Sequence, residues 1–113
     1  MTLREIKTIL GAEVLCGEEQ LDREVHSACA SDFMSDALAF VKDQPMLLTG
    51  MVNPQVVRTA EMLDMCCIVF VRGKQPTEEI LKMAAEREIV VMRSTNRMFI
   101  ACGLLYTNGL VGE

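Results

Sequence analysis

The residues of this chain best suited to chemistry fall in short segments that each follow an apolar run. They are Ser31-Asp32, Thr49-Gly50-Met51-Val52-Asn53, Arg72-Gly73-Lys74 and Arg93-Ser94-Thr95. Hydroxyls, an amide, glycines and three basic side chains have the composition of a pocket for a small anion or a nucleotide phosphate. The candidate ligand-binding residues are therefore Asp32, Thr49, Gly50, Asn53, Arg72, Gly73, Lys74, Ser94 and Thr95. Their spacing matches neither Gly-x-x-x-x-Gly-Lys-Ser/Thr nor Gly-x-Gly-x-x-Gly, and a glycine after a strand is more often a turn-maker than a ligand contact.

Acid–base chemistry has fewer parts. Asp32 is the only carboxylate in these segments, so neither a carboxylate pair nor a magnesium-phosphate site is assembled. His26 is the only histidine, read as packed in a strand beside Val25 and Ser27. The five cysteines, at 16, 29, 66, 67 and 102, include no Cys-x-x-Cys pair, which argues against a disulfide framework or a zinc knuckle. Adjacent Cys66 and Cys67 would point to opposite faces of a strand and do not readily ligate one ion. The expectation is of buried, reduced thiols, with no catalytic residue, no metal and no cofactor.

The elements that must position these segments are apolar runs at 46–49, 67–71 and 89–92, none alternating polar with apolar as a strand with one wet face does. Between them, 54–64 and 77–88 carry helical periodicity, so a βαβαβ core with a mostly parallel sheet is expected. Asn53 and Pro54 mark one helix start, and Ser31-Asp32 reads as the cap of another that stops at Asp43-Gln44-Pro45. Ahead of this core, Thr2 and Glu5 form a capping-box pattern on a first helix ending at Gly11. Strands at 13–16 and 24–30 then read as a hairpin turning at Gly17-Glu18-Glu19-Gln20. The fold class is α/β, with residues 1–113 as one domain.

Half of the residues are apolar but only 4% are aromatic, so aliphatic side chains and nine methionines must fill the core, with 62, 65, 83, 92 and 98 at core-facing spacing. A net charge of −5 disfavours nucleic acid. No apolar run approaches the roughly 20 residues of a membrane span, and no leader pattern opens the chain, which suggests the cytoplasm. The last helix, near 97–106, is apolar in nearly every direction: Met98, Phe99, Ile100, Ala101, Cys102, Leu104 and Leu105 cannot all be covered by one sheet. A second subunit is the simplest cover, so a homodimer is expected through this helix, the one at 35–41, or both.

The order of these segments resembles the DRTGG domain family. The residues that carry the likeness are Ala30-Ser31-Asp32-Phe33-Met34-Ser35-Asp36-Ala37-Leu38, Leu47-Leu48-Thr49-Gly50, Ile68-Val69-Phe70-Val71-Arg72-Gly73 and the strand from Ile89 to Met92. At the positions of the naming signature the chain reads Val52-Asn53 for Asp-Arg and Arg72-Gly73-Lys74 for Thr-Gly-Gly. The family is similar to accessory domains of phosphate acetyltransferases and of CBS-containing pyrophosphatases, and to the N-terminal domain of HPr kinase. Small stand-alone members also occur. The resemblance implies a non-catalytic regulatory or protein-interaction module that dimerises. The loops after the strands supply the alternative, a module that senses a nucleotide or a phosphorylated small molecule.

Overall fold

The computed structural model describes residues 1–41 and 44–112. Helix α1 (Leu3–Leu10) opens on the expected capping box: the Glu5 backbone N–H donates to Thr2 Oγ1 at 3.2 Å, and the Thr2 N–H donates to Glu5 Oε1 at 3.1 Å. The helix stops at Gly11, whose φ of 59° is left-handed backbone that glycine adopts without a Cβ penalty. Strands β1 (Glu13–Cys16) and β2 (Ser27–Ala30) follow, then α2 (Met34–Phe40), β3 (Met46–Thr49), α3 (Pro54–Met62), β4 (Cys67–Phe70), α4 (Glu78–Glu86), β5 (Val90–Arg93), α5 (Met98–Thr107) and a short β6 (Val111–Gly112).

The strands form one sheet in the order β1-β5-β4-β3-β2-β6, parallel except where β1 runs antiparallel to β5. Register decides which residues share a face. Leu48, Val69 and Met92 lie in one row and pack with Leu3, Ile6, Leu10, Ala101 and Leu105 under α1 and α5. Leu47, Ile68 and Val91 form the adjacent row and pack with Val56, Val57, Ala60, Ile80 and Ala84 under α3 and α4. Both faces are covered, which explains why β3 and β4 have no polar alternation and are buried along their whole length.

Several expectations change. The strands at 13–16 and 24–30 do not make a hairpin: β1 pairs with β5 at one edge, β2 lies three strands further away, and a 3-10 turn at Glu18–Gln20 joins them. His26 lies outside β2 in an exposed bend, not packed in a strand. Met62 is 68% exposed, whereas Met65 and Met92 are buried and Met83 and Met98 half-buried. Of the stop read at Asp43-Gln44-Pro45, Asp43 lies outside the described residues. Ser31-Asp32 does not cap α2. That helix starts from Phe33 without a side-chain cap, leaving the Asp32 carboxylate to work elsewhere.

Candidate functional site

Because β2 to β5 run parallel, the segments that follow them meet at one sheet edge, as the sequence suggests. Three of them turn by the same local device, a hydroxyl accepting the N–H two residues on: Ser31 Oγ from Phe33 at 3.0 Å, Thr49 Oγ1 from Met51 at 3.1 Å and Ser94 Oγ from Asn96 at 3.2 Å. After β4 the chain instead makes a tight turn with positive φ at Arg72 (60°) and Gly73 (66°), closed by Lys74 N–H to the Val71 carbonyl at 3.2 Å. Arg72 is held there by its neighbours. Its N–H donates to the Asn96 carbonyl at 2.7 Å, and the Gly73 N–H to the Ser94 carbonyl at 2.8 Å.

Asp32 joins the loops after β2, β3 and β4. Its Oδ1 accepts the Gly50 N–H at 2.7 Å and the Thr49 hydroxyl at 3.3 Å, while Arg72 Nη2 stands 3.7 Å from its Oδ2. The Arg72 guanidinium lies against Gly50, and a Cβ there would fall 1.9 Å from Nη2. Backbone N–H, hydroxyl and guanidinium are the donors that hold an oxyanion. Here a carboxylate of the chain itself sits among them.

The remaining candidates divide. Ser94 is buried, and its hydroxyl donates to the Leu10 carbonyl at 3.3 Å, tying β5 to the end of α1. Thr95 and Lys74 are exposed on the same edge. Asn53 has the extended backbone of an N-cap, but its side chain makes no cap bond and its Oδ1 is buried without a hydrogen-bond partner among the described residues. Sequence reasoning passed over Asn96, whose Nδ2 donates to the Leu10 carbonyl at 3.0 Å and to Ser94 Oγ at 3.1 Å. The Ser-x-Asn order at 94–96 was the available signal, since such a pair favours a side-chain-closed turn.

Four of the five thiols are poorly placed for nucleophilic work. Burial pushes the Cys16, Cys66 and Cys102 thiols above the ordinary range and Cys67 well above it, with Cys66 and Cys16 raising Cys67 further. Among the described residues no group of His, Cys, Asp and Glu could hold a metal ion. At the opposite end of the strands a depression of about 530 Å³ is lined by residues including Arg23, Glu61, Asp64 and Arg87. Its charges are partly engaged: Arg87 pairs with Glu61, and Arg23 donates to the Glu88 carbonyl at 2.9 Å.

A second surface begins one residue after Asn96. Only Ala101 and Leu105 of α5 are buried, and the outward side carries Phe99, 84% exposed, Ile100, 50%, and Tyr106, 68%. Beside Tyr106 a mostly apolar groove of about 210 Å³ runs between α5 and the β2–β6 edge, lined by Ala28, Leu48, Leu105, Leu110 and Val111 among others. Among the described residues no helix is long and apolar enough to cross a membrane.

The CBS and DRTGG domains of the regulatory region of Clostridium perfringens pyrophosphatase, solved in complex with the activator diadenosine tetraphosphate, have a similar fold. The TM-score is 0.75 at 20% identity, over 92% of this chain and 45% of that one, so the chain spans less than half the length of this neighbour. No curated protein matches. The family model described as the DRTGG domain matches residues 5–105, from α1 to the buried Leu105 of α5, and the chain belongs to the DRTGG domain family.

Proposed function

We propose that the chain is a non-catalytic regulatory module of the cytoplasm, that residues 1–113 act as one unit, and that it homodimerises. The observation that carries this is the outer face of α5. A surface helix of a monomer normally turns its apolar residues inward, whereas Phe99, Ile100 and Tyr106 turn outward here. Absence of catalysis is supported by the commitment of Asp32 to neighbouring loops, by the exposed and isolated position of His26, and by burial that favours the protonated form of the Cys16, Cys66, Cys67 and Cys102 thiols. Concentration-dependent melting tests it. A dimer linked to folding melts higher as protein concentration rises, and a melting temperature that does not move over a wide dilution series counts against it.

The second reading, a sensor of a nucleotide or a phosphorylated small molecule, is favoured by the oxyanion-type donors around Gly50 and Arg72 and by the activator of the pyrophosphatase neighbour. Arg72, Lys74, Thr95 and Asn53 are the residues left to meet such a ligand; Ser94 would act through its hydroxyl bond to the Leu10 carbonyl at the end of α1. The two readings are compatible in one molecule. The Arg72 backbone N–H donates to the carbonyl of Asn96, which immediately precedes the N-cap of α5, so a ligand whose binding shifted the Arg72 backbone would be felt at the start of that helix. Diadenosine tetraphosphate is the first ligand to test. Saturation at 100 times Kd would stabilise the native state by about 2.7 kcal/mol, an effect expected to vanish in Arg72→Ala. No shift with that compound or with a panel of nucleotides and acyl phosphates removes the sensor reading.

A further inference from the structure

We infer that two copies of this chain pair their α5 helices antiparallel about a twofold axis passing between Cys102 and Gly103, an inference that rests on the homodimer reading above. Phe99, Gly103 and Tyr106 lie four and three residues apart, which puts them on one line of a helix, on the side away from the buried Ala101 and Leu105. The line is self-complementary. An antiparallel copy whose axis falls between 102 and 103 sets Phe99 opposite the partner's Tyr106 and Tyr106 opposite the partner's Phe99, so one contact is made twice, as an isologous interface requires.

Gly103 is the most informative position. A Cβ there would meet nothing within 4 Å among the described residues, whose packing does not call for glycine, although glycine weakens the interior of a helix. Its use is to let a second backbone approach between two aromatic side chains. Charge agrees with the antiparallel sense. Arg97 is the N-cap of α5, at the helix end whose dipole disfavours a cation. Opposite it in the pair stands the partner's C-terminal end, where carbonyls favour one. The partner's Phe99, opposite Tyr106, also reaches the apolar groove that Tyr106 borders.

Area is consistent with a modest dimer. Taking the side chains at their usual surface areas, the exposed parts of Phe99, Ile100, Tyr106 and Val111 come to roughly 500 Å² per copy before polar neighbours are added, against about 800 Å² per partner in a standard interface. Association at micromolar concentration fits that size better than an obligate dimer.

Disulfide trapping reads the pairing. In a Cys102→Ser background, Phe99→Cys and Tyr106→Cys proteins are oxidised separately and mixed, the links are mapped by peptide mass, and the mass of the untreated wild type is measured in parallel. The expected result is a link between positions 99 and 106 in the mixture and none in either protein alone. A link in the Phe99→Cys protein alone means parallel helices and overturns the pairing while the dimer stands. A wild-type mass of 12.6 kDa at every concentration removes the dimer reading itself. Because either cysteine variant removes an aromatic anchor, Gly103→Leu supplies a second test. Gly103 is exposed, so the monomer is expected to fold with leucine there, as circular dichroism checks, while the dimer dissociation constant is expected to rise about tenfold or more; an unchanged constant overturns the inference.

Discussion

The loops at the C-terminal edge of the sheet and the outer face of α5 adjoin in sequence at Asn96 and Arg97 but are finished in opposite ways. At the edge, several of the polar groups that read as a ligand site turn toward one another: Asp32 takes the Gly50 N–H, Ser94 and Asn96 take the Leu10 carbonyl, and Arg72 bonds through its backbone to Asn96. On α5, apolar groups that could have turned inward face solvent. Polar loop composition therefore does not separate a binding site from a latch between loops, because both use the same donors. An apolar helix face left uncovered is the more specific sign of a partner, since burying polar groups at the edge costs little once they are paired, whereas exposed aromatic surface costs in proportion to its area.

Substitutions on the two sides sharpen this contrast, and the largest effect is expected on α5. Phe99→Asp should weaken dimerisation by about 2 kcal/mol or more, the loss typical of a central aromatic anchor, with little change in the fold of the monomer because Phe99 is mostly exposed. Sedimentation equilibrium and circular dichroism read the two separately. A dimer unaffected by this change would move the interface elsewhere.

Asp32→Ala should come next, destabilising the chain by about 1–3 kcal/mol because it leaves the Gly50 N–H, in a buried residue, without its acceptor. Urea unfolding measures it, and Asp32→Asn, which keeps an acceptor oxygen, should cost less. Equal losses in the two variants would show that charge, not the hydrogen bond, holds the loops.

Gly50→Ala should be milder. Its Cβ would displace the Arg72 guanidinium, the far end of a flexible side chain, and so break a half-exposed ion pair worth under about 1 kcal/mol. A much larger loss would make the Arg72 position a requirement of the fold.

Two pH effects are the smallest and have opposite signs. The thiol of Cys67 is raised by burial, so its contribution is complete below the unfolded thiol value and fades as pH rises through the folded one. Glu5 is lowered, chiefly by the Thr2 backbone N–H, so its contribution is present above the unfolded carboxyl value and is lost as pH falls through the folded one. Melting followed from acid to alkaline pH should therefore decline gently at both ends. In Cys67→Ala the alkaline decline should lessen, and in Glu5→Gln the acid one.

Much of the fold was legible because it is written locally. The run 46–49 is β3 as read, the capping box at Thr2 and Glu5 forms, and Pro54 starts α3. The hairpin misreading has a physical cause. Glu13–Cys16 pairs with Val91, Met92 and Arg93, and a short apolar strand does not encode which distant strand it will meet. The site was legible as a place and less so as an arrangement. Thr49, Gly50, Asp32 and Arg72 do come together, yet the inward turn of Ser94 depends on where the end of α1 packs, which local sequence does not specify. The left-handed backbone at Arg72 was equally hidden, since arginine gives no sign of it and only the glycine that follows marks a turn.

The mass of the wild-type chain in solution, measured by light scattering across a dilution series, tests the central contrast most directly. If the chain latches Asp32, Ser94 and Asn96 to its own loops and leaves α5 for a second copy, the mass at micromolar concentration is twice 12.6 kDa and falls toward 12.6 kDa on dilution or in Phe99→Asp. A wild-type mass of 12.6 kDa at every concentration would contradict the account.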